Sequence, residues 1–227
     1  MGLQTIIDMS SGLSINRRKL AGVQYTRNQI SRTSLTPTYN PWRFSVDMPT
    51  SLKYSEARSL MEELDSLDVI YPENIKFSNN PKLSWLFRYQ GAANYQQLNQ
   101  IKVVSFLNNE LILNSLPVIG ATDILFAKND LIQIYGYPYS FTSTTDILRG
   151  IGNDVTVLTH RPNFIPYNVN NLGITVGNFC DFRVFCPNMP TYKLIPGGTQ
   201  YSGGTIVSNA YIEWSDSFEL YEYLGDL

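Results

Sequence analysis

Histidine is all but missing from this 227-residue chain, cysteine occurs twice, and charged residues make up only 16% of it. Each shortage excludes a class of chemistry. With His160 as the single histidine and no Cys-x-x-Cys pair, a histidine-based metal cluster is ruled out. A Ser-His-Asp arrangement through His160 lacks the Gly-x-Ser-x-Gly elbow, and His160-Arg161-Pro162 reads as a strand exit. Gly197-Gly198 and Gly203-Gly204 are not followed by Gly-Lys-Ser/Thr, so they read as turn glycines and not as a phosphate cradle. No metal, cofactor or small-molecule substrate is expected. Apolar runs long enough to cross a bilayer are lacking, and Met1 to Ile6 has neither the charged nor the apolar region of a secretion signal. The net charge of -2 and the lack of a basic helical stripe argue against nucleic acid as a partner.

The two cysteines bracket Asp181-Phe182-Arg183-Val184-Phe185, a run of strand composition. If it is one extended strand, Cys180 and Cys186 lie roughly 20 Å apart at about 3.3 Å per residue, beyond disulfide reach. Free thiols follow, and with them folding in a reducing compartment.

What the chain has in plenty is aromatic residues, 13% of the total with 15 tyrosines. Tyrosine gives rigid contact area in protein interfaces, and it also favours β-strands. The few charges are unevenly placed. Arg17, Arg18, Lys19, Arg27, Arg32 and Arg43 face the single acid Asp8 in the first 44 residues, whereas Glu213, Asp216, Glu219, Glu222 and Asp226 follow Thr199 without any base. Opposite ends of this kind either steer head-to-tail contact between copies or pair within one subunit.

The periodicity predicts a mainly β, α+β chain built of small barrel or sandwich modules, with one clear helix at about 55–67 and an extended N-terminal hairpin arm. Thr5, Ile7 and Met9 alternate, as do Leu13 with Ile15 and Val23 with Tyr25, so residues 4–47 read as long strands leaving the core. Trp42, Phe44, Val46 and Met48 mark the clearest half-buried strand. Ser55 is placed as an N-cap, followed by Ala57, Leu60, Met61, Leu64 and Leu67 at helical spacing. Glu62 and Glu63 fall on the solvated face and diverge by about 100°, so they cannot converge on one substrate atom. Strands are expected at 75–77, 83–89, 102–106 and 111–113, with a short Gln-rich helix within 94–101. From Val118 to Pro162 four strands follow: a hairpin of 124–126 with 131–135 around Ala127 to Asp130, then 139–148 and 155–159. A last hairpin is expected with strands at roughly 199–200 or 205–206, then 210–214 and 218–223. The division expected is a β-rich domain at 1–117 carrying arm and helix, and a barrel-like module at 118–227.

The order Ser14-Ile15-Asn16-Arg17-Arg18, Tyr25-Thr26-Arg27, Pro41-Trp42-Arg43-Phe44, a short Leu-rich helix, then Lys128 to Ile134 resembles a family of tail structural proteins of tailed bacteriophages. Cys186 to Gly198 and Phe218 to Tyr223 resemble the same family, as in phages of cyanobacteria. The resemblance spans nearly the whole chain. It implies a non-enzymatic, multi-copy subunit of the baseplate or tail tip, connecting tube or hub to neighbouring baseplate or fibre proteins in the virion, assembled in the host cytoplasm. Its partners would be other tail proteins and copies of itself. The residues expected to make those contacts are Arg17, Arg18, Lys19, Tyr25, Arg27 and Arg32 at the basic end, and Glu213, Glu219 and Glu222 at the acidic end. Two rivals stand beside it. One is a receptor- or carbohydrate-binding module with Trp42, Trp85 and Trp214 as sugar platforms, although Trp42 and Trp85 sit in patterns that favour core packing. The other is a glycoside hydrolase using Glu213, Glu219 or Glu222.

Overall fold

The structure, a computed structural model, describes residues 2–16, 21–25, 31–35, 41–49, 52–66, 71–163, 168–197, 199–202, 205–208 and 210–224. Strand outweighs helix, 37% against 17%, in several small sheets, so the chain is mainly β with an α+β composition. Its contacts group it into two units that do not follow a cut at 117/118. One comprises 1–17, 41–75 and 183–223; the other comprises 18–40, 76–182 and 224–227.

The first unit is organised by a five-stranded sheet in the order Gly12–Asn16, Arg43–Asp47, Phe218–Glu222, Phe182–Phe185, Glu73–Ile75. Trp42, Phe44 and Val46 are wholly buried on one face while Arg43 and Ser45 turn away, as the alternation requires. Antiparallel register sets Val46 opposite Phe218 and Phe44 opposite Leu220, all four without exposure. At about 1.5–3 kcal/mol for each large apolar side chain, this double row anchors the sheet.

Helices cover part of this unit. Gly2–Met9 is a helix and not the expected strand. Its residues fit both periods, but only the helical one places Leu3, Ile6 and Ile7 together, and all three are buried. Leu3 N donates to Glu73 Oε2 at 3.1 Å and Thr5 Oγ1 to Glu63 Oε2 at 2.6 Å, tying this helix to the neighbouring strand and helix. The second helix, Tyr54–Ser66, agrees with expectation to within a residue, with Ala57 and Leu60 fully buried. Ser55 falls inside its first turn and so is not the N-cap. Glu62 pairs with Arg58 at 2.9 Å while Glu63 takes Thr5, so the adjacent acids do diverge. A three-stranded sheet, in the order Tyr192–Ile195, Tyr211–Trp214, Leu52–Lys53, packs Ile212 and Leu52 against Ala57. Thr199–Ser202 and Thr205–Ser208 form a separate hairpin.

The expected last hairpin does not exist: Tyr211–Trp214 and Phe218–Glu222 belong to different sheets, and Ser215-Asp216-Ser217 carries the chain from one to the other.

In the second unit, Ala21–Tyr25 and Ser31–Leu35 form an antiparallel hairpin, so a hairpin follows Asn16 as expected. Gly12–Asn16, by contrast, is a strand of the five-stranded sheet and no part of an arm. The core of this unit joins Leu98, Ile101, Val103, Leu111 and Leu113 to Leu125, Phe126, Ile132, Tyr139, Phe141 and Ile174. The 118–162 stretch is therefore not a module by itself. Leu131–Ile134 lies between Phe141–Thr142 and Ile174–Val176, and Val155–Leu158 pairs with Glu110–Asn114. Ile124–Phe126 pairs with Ile147–Leu148 and not with Leu131–Ile134. Asp130 explains the parting of the expected hairpin. Its carboxylate accepts Ala127 N at 2.8 Å and Gln90 N at 3.1 Å, while Asn129 adopts φ of 70°, and this compact turn sends the chain into another sheet. Residues 81–87 are turns and not a strand. The short helix Tyr95–Leu98 is present, with a reciprocal capping box: Asn94 Oδ1 accepts Gln97 N and Gln97 Oε1 accepts Asn94 N, both at 2.9 Å.

Candidate partner-binding site

Three short elements of the first unit converge on the Ser215-Asp216-Ser217 turn. Ser215 N donates to Thr191 O at 2.9 Å, and the hydroxyls of Thr191 and Ser215 are 3.2 Å apart, so the turn is braced against the segment before Tyr192. Two grooves open beside it. One, of about 510 Å³, is walled by Pro187, Met189, Pro190 and Tyr221 and carries Asp216 and Glu219. The other, of about 350 Å³, is walled by Met48, Pro49 and Trp214 and carries Asp47, Glu213 and Asp216. Asp216 and Ser217 belong to both.

Alternation explains the placement of these acids. Along Phe218–Glu222 the burial runs inward at Phe218, Leu220 and Glu222 and outward at Glu219; along Tyr211–Trp214, Ile212 is inward and Glu213 exposed. Four carboxylates, those of Asp47, Glu213, Asp216 and Glu219, thus surround one turn, and among the described residues no basic one lines either groove. Among the described residues none of the four makes an ion pair or a side-chain hydrogen bond. Lys193 stands opposite Glu213 in the strand register without reaching ion-pair distance. The aromatic walls are held by their own packing: Trp214 meets Tyr192 and Phe218 edge-on at 5.5 and 5.0 Å, and Arg43 lies 4.9 Å from the centre of the Tyr221 ring. The indole N–H of Trp214 is buried without an acceptor.

Of the expected contact residues, Glu213 and Glu219 fall on this site. Glu222 does not: it is 3% exposed, and its carboxylate accepts Trp42 N at 2.9 Å, so it holds the sheet together instead of meeting a partner. The signal was in the strand period, since Glu222 shares the face of Phe218 and Leu220. Asp47 and Asp216 were not singled out as contact residues, and only the meeting of two sheets brings them together. Arg17, Arg18, Lys19 and Arg27 lie outside the described residues; Tyr25 and Arg32 lie in the 21–35 hairpin.

The remaining candidates take structural positions. His160 Nδ1 accepts Thr142 N at 2.8 Å and lies 3.0 Å from Thr142 Oγ1, bridging two strand ends. Trp42 is core, as the pattern suggests, but Trp85 is 67% exposed, its indole N–H given to Lys82 O at 2.8 Å within its own turn. Cys180 and Cys186 are free and buried, and burial pushes both thiols up, Cys186 to about 11. Among the described residues no group of His, Cys, Asp and Glu has the arrangement of a metal site, and no helix is long and apolar enough to cross a membrane. Comparison with known protein families finds no matching family, and no characterised protein is significantly similar to the chain in sequence.

Proposed function

We propose that this chain is a non-enzymatic structural subunit of a bacteriophage tail, present in several copies at the baseplate or tail tip and linking tube or hub to neighbouring baseplate or fibre proteins. The sequence resemblance supplies the class. The observation that supports an assembly role is the set of four carboxylates around the Ser215–Ser217 turn that have no ionic partner among the described residues, in a chain whose first 44 residues carry six bases and one acid. Uncompensated like charges repel, and a partner surface of opposite sign removes that repulsion while steering the encounter. Buried free thiols suit folding in a host cytoplasm before assembly.

The deciding experiment is to locate the chain in an electron-microscopy map of the intact particle. Density at the distal tail in several symmetric copies is expected; its absence from the tail would end the reading. A sugar-binding role draws support from one observation, the exposed indole of Trp85. A glycan array on the purified protein separates the two, because a linking subunit binds no sugar.

A further inference from the structure

We infer that the aromatic surface around Asn178, in the second unit, is a docking site for an extended acidic segment of a partner protein that carries apolar side chains between its carboxylates. Three exposed aromatic residues from distant parts of the chain converge there: Trp85 is 67% exposed, Phe179 45% and Tyr95 37%. The amide of Asn178 joins their segments. Its Nδ2 donates to Ser84 O at 2.7 Å, next to Trp85, and its Oδ1 accepts the Tyr95 hydroxyl at 3.3 Å. Phe179 follows it in the chain and meets Tyr95 edge-on at 4.7 Å. The surface is held in place by its own turn. The Trp85 indole is pinned by its N–H bond to Lys82 O, and Phe87, at φ of 58°, packs its ring against Phe77 and Phe182, both at 5.6 Å. A bulky residue in the left-handed region persists only where its surroundings fix it, and a surface so fixed loses little ordering entropy on binding.

Charge selects an acidic occupant. From Lys76 to Asn109 the sequence holds Lys76, Lys82, Arg88 and Lys102 and no acid. Lys82 and Arg88 stand three residues to either side of Trp85, both exposed, and among the described residues neither side chain makes an ion pair or a hydrogen bond. Burial raises the Tyr95 hydroxyl and Arg88 opposes that rise, so the Arg88 charge acts at the aromatic surface. The neighbouring acids are already committed. Asp181, two residues past Phe179, is taken by Lys76 at 3.1 Å, and Asp130 is buried with its carboxylate given to the N–H groups of Ala127 and Gln90. What the rings present outward is apolar, since the Trp85 N–H and the Tyr95 O–H are both spent within the surface. A hydroxyl-rich sugar would find neither donor free. Successive bases need adjoining parallel faces, whereas Tyr95 and Phe179 stand at 82° to each other. Apolar side chains spaced by carboxylates fit both the rings and the two cations, and aromatic residues with arginine are the groups that anchor protein contacts.

The test titrates the full chain against a fluorescently labelled peptide of alternating glutamate and leucine and follows anisotropy. Wild type should bind it saturably, and more weakly as salt rises, because exposed charges are screened. Trp85→Ala and the double variant Lys82→Glu, Arg88→Glu should each weaken binding at least about tenfold while keeping the wild-type circular dichroism spectrum. Ile151→Ser, at an apolar side chain 97% exposed on another loop of the same unit, should bind as wild type does. A peptide of alternating lysine and leucine should not bind. Four results overturn the inference: no saturable binding of the acidic peptide, equal binding of the basic one, an equal loss in Ile151→Ser, or folded Trp85 and Lys82/Arg88 variants that bind as wild type does. Tighter binding of an oligothymidylate or an acidic oligosaccharide, lost in the same variants, would also overturn it. The measurement is made on the isolated chain, so its failure leaves the location in the tail untouched. Absence from the tail with intact peptide binding would remove the function and keep the site.

Discussion

At the scale of single residues, neighbouring acids of one strand have opposite roles. Glu222 takes the main-chain N–H of buried Trp42, whereas Glu219 faces a groove. Glu222→Ala should cost about 1–3 kcal/mol by leaving that donor unpaired, while Glu219→Ala should stay within about 0.5 kcal/mol; urea unfolding of both measures the contrast. Asp130 offers a pH signature. Burial, opposed by the hydrogen bonds from Ala127 and Gln90 and reinforced by Asp146, raises its carboxyl above the ordinary 3.8. Just above pH 3.8 the folded chain therefore holds a proton that the unfolded chain has released. The stability contributed by this residue declines with rising pH until the folded group ionises, and is level thereafter. In Asp130→Asn that decline should vanish from a stability–pH series. The variant should also be less stable near neutrality by about 1–2 kcal/mol, because one amide oxygen cannot serve two donors as two carboxylate oxygens do.

At the scale of elements, local chemistry decides where chains turn and tertiary contact decides what they pair with. Gly177 adopts φ of 71°, and a Cβ there would stand 2.8 Å from Tyr89 N and 3.0 Å from Phe87 O. Gly177→Ala combines left-handed strain with a main-chain clash and should destabilise by roughly 2–4 kcal/mol in chemical denaturation. The Tyr95–Leu98 helix, the Tyr54–Ser66 helix and the Arg43–Asp47 strand were legible because cap, helical period and strand alternation are written within a few residues. The pairing of Ile124–Phe126 was not. A strand of three residues gives no clue to its neighbour, and the compact Asp130 turn looks like a hairpin loop whether or not its flanks pair. Gly2–Met9 was misread for a related reason: eight residues satisfy both periods, and only burial of Leu3, Ile6 and Ile7 breaks the tie.

At the scale of the whole molecule, the two units interleave along the sequence, which changes from one to the other at 17/18, 40/41, 75/76, 182/183 and 223/224. Cys180 belongs to one unit and Cys186 to the other, and both are buried with raised thiols. A thiol reagent should label neither in the native protein at neutral pH and both in denaturant. Progressive denaturation, followed by mass spectrometry of each labelled cysteine, then reports whether the units open together or separately.

By itself the sequence determined the β-rich class, the main helix, the inward row from Trp42 to Met48, free cysteines, and the separation of basic from acidic ends. These follow from composition and short-range period, which act within a turn or a strand. The tertiary structure alone decided that Asp47 joins Glu213, Asp216 and Glu219 around one turn and that Trp85 lies outside. Such facts depend on which sheet each strand enters, and that choice is made by burial among residues far apart in the chain.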